Sequence, residues 1–169
     1  MNGDPNKPLC YFLDTEFSET GYARIDLISI ALVCDDGREL YMVMEDGWST
    51  SNCSQWVKDN VLTNLGNSTP ILRKVAKVKL FDFLLIGEEG VKPEIWGYYA
   101  DYDWVLFCQL FGTMMDLPKR FPMYCRDIKQ AAGKYPLPKQ LVDRHNALED
   151  ARHIKVMYDY CRAEGLIIG

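Results

Sequence analysis

The chain has 169 residues, a formal net charge of −5 and a sequence pI near 5.0. That acidic balance excludes a passive nucleic-acid coat, which needs a basic footprint, but not an enzyme that meets phosphates through bound cations. No apolar run approaches the roughly eighteen residues of a membrane span, and 48% hydrophobic residues suit a globular domain with a sizeable core.

The opening MNGDPNKPLC shows no apolar signal region. Residues 1–8 read as a short flexible leader before a single domain over 9–169. LCYFLD (9–14) reads as a strand, rich in aromatics and ending in polar residues. RIDLISIALVCDDGRELYMVME (24–45) reads as two strands joined by a hairpin at Asp35-Asp36-Gly37, so the first three strands form an antiparallel meander. SQWVKDNVL (54–62) has helical spacing at Trp56, Val57, Asn60 and Val61, behind Ser51 and Asn52 as capping candidates.

In PILRKVAKVKLFDFLL (70–85), Pro70 suits a helix start and the apolar positions follow a 3.6 period, although 75–80 also alternates as a strand would. Arg73, Lys74, Lys77 and Lys79 form its solvated face or, in a second reading, contact phosphate. PEIWGYYA (93–100) is a fourth strand and DWVLFCQLFG (103–112) a helix closed by Gly112. The proline-interrupted stretch 117–141 holds a short strand near 123–125, a helix near 127–132 and a loop at 133–139; a last helix runs from 147 to about 162. The fold class is therefore α/β: a mixed five-stranded sheet, three antiparallel strands first and parallel strands after, flanked by helices. Six cysteines (Cys10, Cys34, Cys53, Cys108, Cys125 and Cys161) stand singly, as buried thiols in a reducing cytoplasm do.

Asp14 and Glu16 interrupt the apolar run YFLDTEFSE. At i and i+2 they share one face of a strand, with Thr15 opposite. Two like charges so close raise each other's pKa unless cations neutralise them, and hard oxygen donors suit Mg²⁺ or Mn²⁺ rather than zinc. A solvated strand end is the plainer reading of D-x-E alone. Asp101 and Asp103 sit where the fourth strand passes into a helix; one can cap that helix while the other faces the cavity of Asp14, and spacing does not choose.

In HNALEDAR, Asn146 with Glu149 forms an N-cap and capping box, which makes His145 N′ and Asp150 N4, neighbours where a hydrophobic staple usually meets. An imidazole with loop freedom beside a fixed carboxylate suits a general base acting on water; an exposed histidine at a helix start is the alternative. His153 is assigned to structure.

In this chain order, D-x-E on the first strand, Tyr102-Asp103 after the fourth and H-x4-D opening the last helix resemble the DEDDh branch of 3′–5′ exonucleases, which have an RNase H-like fold. The similarity runs from about Leu9 to Arg162. With DTEF, LISI, YDWVLFCQLFG and H-x-A-L-x-D-A-R, it is closest in texture to small exoribonucleases of the RNase AS type. The chain departs from the pattern at Tyr99, where a polar residue often stands, and in the loop PLPKQLVDR before His145.

The resemblance favours Asp103 over Asp101 and implies two divalent cations, Mg²⁺ or Mn²⁺, held by Asp14, Glu16, Asp103 and Asp150, with His145 as general base. It implies release of nucleoside 5′-monophosphates from RNA 3′ ends, with DNA as the alternative substrate and a non-catalytic nucleic-acid-binding module as a third reading. Phe17 is expected to pack on the terminal base, and the Thr15 and Ser18 region to contact its sugar. Lys119, Arg120, Arg126, Lys139 and Arg144 flank the site, and some are expected to track phosphates. A cytoplasmic enzyme without a membrane partner, dimeric by analogy with relatives, completes the expectation.

Overall fold

Five strands are ordered β3-β2-β1-β4-β5 in one sheet. They are β1 (Cys10–Thr20), β2 (Arg24–Cys34), β3 (Glu39–Val43), β4 (Glu94–Gly97) and β5 (Arg126–Asp127). The structure is a computed structural model that describes residues 8–21, 24–85, 91–141 and 144–167. Of the expected leader, only Pro8 lies within them. β1–β2 and β2–β3 pair antiparallel, whereas β1–β4 and β4–β5 pair parallel, as expected from the strand order. Gly37, at φ 93°, closes the β2–β3 hairpin, where Cys34 and Arg38 exchange a backbone bond of 2.8 Å.

The central strand β1 is apolar on both faces because helices cover both. Tyr11 and Leu13 face a cluster that includes Leu80, Phe83, Phe107 and Phe121, contributed by α2 (Arg73–Leu85), α3 (Asp101–Phe111) and the following loop. Cys10 and Phe12 face Ile128 of α4 (Ile128–Ala132) and Ile154, Met157 and Tyr158 of α5 (Ala147–Ala163). Each such buried large side chain contributes roughly 1.5–3 kcal/mol. A third cluster joins Ile28 to Cys53, Val57 and Val61 beneath α1 (Gln55–Asn60). Ile28 is the extra residue of a bulge, since Glu16 pairs with Ser29 but Phe17 with Leu27; the bulge turns Ile28 out of the regular alternation and toward α1.

Several boundaries differ from expectation. β1 does not end at Asp14 but continues to Thr20, because β2 offers a ladder partner for every residue from Tyr11 onward. Asp14 and Glu16 thus lie within the strand. α1 is capped by Ser54, while Ser49 caps a separate 3₁₀ turn at Thr50–Asn52. The helix expected from Pro70 begins at Arg73, since Ile71 is taken by a parallel bridge to Met44, and the alternation over 75–80 is helical. β5 lies at Arg126–Asp127, just after 123–125. None of the six cysteines is in a disulfide. Among the described residues no helix is long and apolar enough to cross a membrane.

Candidate active site

The site forms where β1 outruns β4. The parallel pairs run only from Cys10↔Glu94 to Phe12↔Trp96, and β4 ends at Gly97. Beyond that point the β1 edge needs acceptors for its N–H groups. Asp103 supplies one: its Oδ1 accepts from the Thr15 backbone N–H at 2.8 Å and from the Thr15 hydroxyl at 2.6 Å. Asp101 and Asp103 both lie in the first turn of α3. The N-cap position is Ala100, so neither aspartate caps the helix.

A tight turn delivers Asp103. A Cβ on Gly97 would stand 2.5 Å from the Ala100 Cβ, so the turn requires glycine there. Asp127 fastens it from the side: Oδ2 accepts from the Ala100 N–H at 3.0 Å, while Oδ1 caps α4 through Gln130 N at 2.9 Å. Among the described residues two non-glycine residues take positive φ, Tyr99 at 54° and His145 at 64°. Both flank the site, the kind of place where such backbone is retained at a cost of order 1–3 kcal/mol.

The start of α5 supplies the other half. Asn146 Oδ1 accepts from Leu148 N at 3.1 Å and Glu149 N at 3.3 Å, and the Glu149 carboxylate pairs with Arg152. The N′ and N4 positions meet as expected, but through the His145 backbone N–H, which donates to Asp150 Oδ2 at 2.9 Å. The imidazole is thereby left for the cavity. Donor atoms of Glu16, His145 and Asp150 all lie within 4.8 Å of one another, and Asp14 lines the adjoining pocket with His145 and Asp150.

Crowding has an electrostatic signature. Burial first, and then the charges of Asp103, Asp150 and Glu16, push Asp14 well above the ordinary carboxylate range. Glu16 is pushed up to about 8 by burial and by Asp150 and Asp103. Burial raises Asp103 to about 6 against the bonds from Thr15, and raises Asp150 against those from Gln140 and the His145 backbone. Four carboxylates are raised together, and the charges of His145 and Arg144 offset the burial of Asp150 only in part. Such a set of hard oxygens fits divalent cations of the Mg²⁺ or Mn²⁺ type. Imidazole is a poor match for those ions, so His145 is chemically the odd member of the group.

The remaining candidates are placed as follows. Phe17 is half-buried with its ring 5.4 Å from that of exposed Tyr102, edge to face. Thr15 points to the α3 side, where its hydroxyl is engaged by Asp103, and buried Ser18 donates to the Asn52 carbonyl at 3.4 Å. Lys139 and Arg144 line the pocket beside the site. Arg126 pairs instead with Glu94 at 3.1 Å at the beginning of β4. Lys119 and Arg120 lie between Leu117 and Phe121, which pack into the α2–α3 cluster.

Sequence reasoning missed Trp56, Asn64, Asp127 and Gln140. Trp56, 54% exposed, sets its ring 4.8 Å from that of His145. Asn146 donates to the Asn64 carbonyl at 2.6 Å, and the Asn64 amide reaches the Arg144 carbonyl at 3.4 Å. An exposed tryptophan on a short helix was the one available signal; the others act through partners far along the chain.

Known proteins match this chain in sequence. The 3′–5′ exoribonuclease Rv2179c-like domain matches residues 10–161. Two proteins of Mycobacterium tuberculosis, each named a 3′–5′ exoribonuclease, from strains CDC 1551/Oshkosh and H37Rv, are 38% identical over 149 residues, covering 84% of this chain and 86% of each relative. With its mixed sheet and its carboxylates in DEDDh order, the chain belongs to the Rv2179c-like 3′–5′ exoribonuclease family.

Proposed function

We propose that this exoribonuclease is a cytoplasmic enzyme that removes nucleoside 5′-monophosphates from single-stranded RNA 3′ ends, with Asp14, Glu16, Asp103 and Asp150 holding two divalent cations and His145 serving as general base. The observation that carries this reading is the convergence of Glu16, His145 and Asp150, with donor atoms within 4.8 Å of one another beside Asp14, the histidine being tied to Asp150 by its backbone and not its ring. When bound, the cations supply the charge that acidifies water and stabilises a leaving 3′ oxygen.

The protein's own groups do the rest. Asp103 Oδ1 is committed to Thr15, so Oδ2 would be the oxygen left to help hold a cation. A ring nitrogen of His145 accepts the proton of the attacking water, and Trp56 limits the ring's swing. Phe17, backed by Tyr102, packs on the terminal base, a contact worth about 1–3 kcal/mol and tolerant of base identity. Thr15 serves the sugar-proximal wall by holding Asp103 in place.

Labelled single-stranded RNA and DNA incubated with Mg²⁺ or Mn²⁺ test the reading. Wild type is expected to shorten RNA stepwise from the 3′ end. His145→Ala is expected to lose roughly 10²–10⁴-fold in kcat with little change in KM. Undiminished turnover in His145→Ala would remove the general base, and preferential shortening of DNA would favour an exodeoxyribonuclease.

A second variant isolates the clasp on the histidine loop. Asn146→Ser keeps an N-cap of similar strength, so urea unfolding is expected to shift by less than about 0.5 kcal/mol. It deletes the amide that reaches Asn64, and single-turnover cleavage is expected to slow by roughly tenfold through the loosened His145.

A further inference from the structure

The chain presents two groups of basic residues to which an incoming strand could be assigned. One is the face of α2, with exposed Lys74 and Lys79. The other is the segment between α4 and α5. α2 packs on the sheet face of Tyr11 and Leu13, whereas Asp14 shares its face with Phe12, on the α5 side. The basic face of α2 is thus separated from the carboxylates by the sheet itself.

The second group adjoins the site directly. A pocket of about 540 Å³ opens from Asp14, His145 and Asp150 and is lined by four cations (Lys129, Lys134, Lys139 and Arg144). Four positive groups against the carboxylates of Asp14 and Asp150 invert the sign of a chain whose net charge is −5. Lys134, Lys139 and Arg144 are exposed, and none has a carboxylate within ion-pair distance among the described residues; the ion pairs there use other cations. Arg144 acts electrostatically on both Tyr98 and Asp150, which puts its charge at the junction of pocket and site.

The outer wall is built rather than incidental. His153 on α5 holds it through Nε2, which donates to the Pro138 carbonyl at 3.0 Å. Gln140 bonds the Asp150 carboxylate one step further on. Pro136 and Pro138 stiffen the segment by fixing φ. Tyr98 and Tyr135, 36% and 55% exposed, add aromatic surface at the lining. A cationic wall with interspersed aromatic rings is the chemistry that takes a single strand without reading its sequence.

We infer that the RNA strand leaves the carboxylate cluster through this pocket, with its phosphates on Lys134, Lys139 and Arg144 and its bases against Tyr98 and Tyr135. This rests on the exoribonuclease reading and gives the strand a direction. The 3′ terminus sits toward the Glu16 end of β1, and the 5′ portion leaves past Asp14, which lies two residues, or roughly 7 Å, back along the same face. His153 is then a positioning residue that holds the wall carrying Lys139.

The test measures binding of a short labelled single-stranded RNA by fluorescence anisotropy, in Mg²⁺ and across a salt series, in a full-length Asp14→Asn background. Each phosphate contact removed lowers the slope of log affinity against log salt by about 0.7. The double variant Lys134→Gln/Lys139→Gln is expected to lower it by about 1.4, while Lys74→Gln/Lys79→Gln leaves it unchanged. The path is overturned if the α2 pair lowers the slope as much as the loop pair, or if neither pair changes it. RNA that shortens during the measurement would count against the catalytic assignment of Asp14 and not against the path, so the two failures are distinguishable.

Discussion

Asp14→Asn is expected to abolish RNA shortening and, in EDTA, to make the protein harder to melt. Burial and then Asp103, Asp150 and Glu16 all act on the Asp14 carboxylate, so on the proposed site its amide would remove both a cation ligand and a source of repulsion. Loss of one such ligand is expected to cost roughly 10³-fold or more in kcat. Relief of repulsion at pH 8 is expected to add about 1–2 kcal/mol, or roughly 2–8 °C in Tm for a chain of this size. Both readouts come from the same purified variant, by gel assay and by thermal melt. Retained cleavage would take Asp14 out of the site, and a lowered Tm would show that its charge supports the fold.

The second large effect is a pH dependence. In the cation-free protein, Tm is expected to fall as pH rises from about 5 to about 8, the window set by the raised carboxylates. Glu16 keeps its proton in the folded state to about 8, against 4.5 for an ordinary glutamate. Between those values the folded chain binds more protons than the unfolded one, so stability declines as pH climbs. Asp14 and Asp150 move the same way, and Asp103 does so up to about 6. These groups share one field and titrate jointly, so the total is set at about 2–3 kcal/mol, or roughly 5–10 °C. Added Mg²⁺ or Mn²⁺ is expected to restore most of the loss at pH 8 and little at pH 5, where protons compete for the ligands. A Tm that stays flat in EDTA would mean that the charges are already compensated within the protein.

Much of this was legible in the sequence, for identifiable reasons. The order of strands and helices follows from apolar periodicity, and β1 to β3 were readable because Gly37 marks their hairpin. The end of β1 was not. Charged residues at 14 and 16 look like a strand entering solvent, and only the partner strand β2 and the crowded carboxylates explain why the ladder continues to Thr20. Asn146 was legible as a cap because the signal lies within four residues. The hydrogen bond that its side-chain amide donates to the Asn64 carbonyl, 82 positions away, was not, because nothing local records it. Asp127 shows the same division: its capping of α4 through Gln130, three residues on, is local, while its hold on Ala100 emerges only when β4 and β5 pair. Tyr102-Asp103 was chosen over Asp101 by family resemblance, and the bond to Thr15 supplies the physical content of that choice.

The Thr15–Asp103 bond has a consequence for when the enzyme can act at all. Asp14 and Glu16 come from the sheet, Asp150 from the helix on one side of it and Asp103 from the helix on the other. Peeling away either helical layer separates these four carboxylates even while the central strands stay paired. On the proposed site, turnover is therefore a stricter test of completion than secondary structure: a half-assembled or partly opened molecule is expected to be silent.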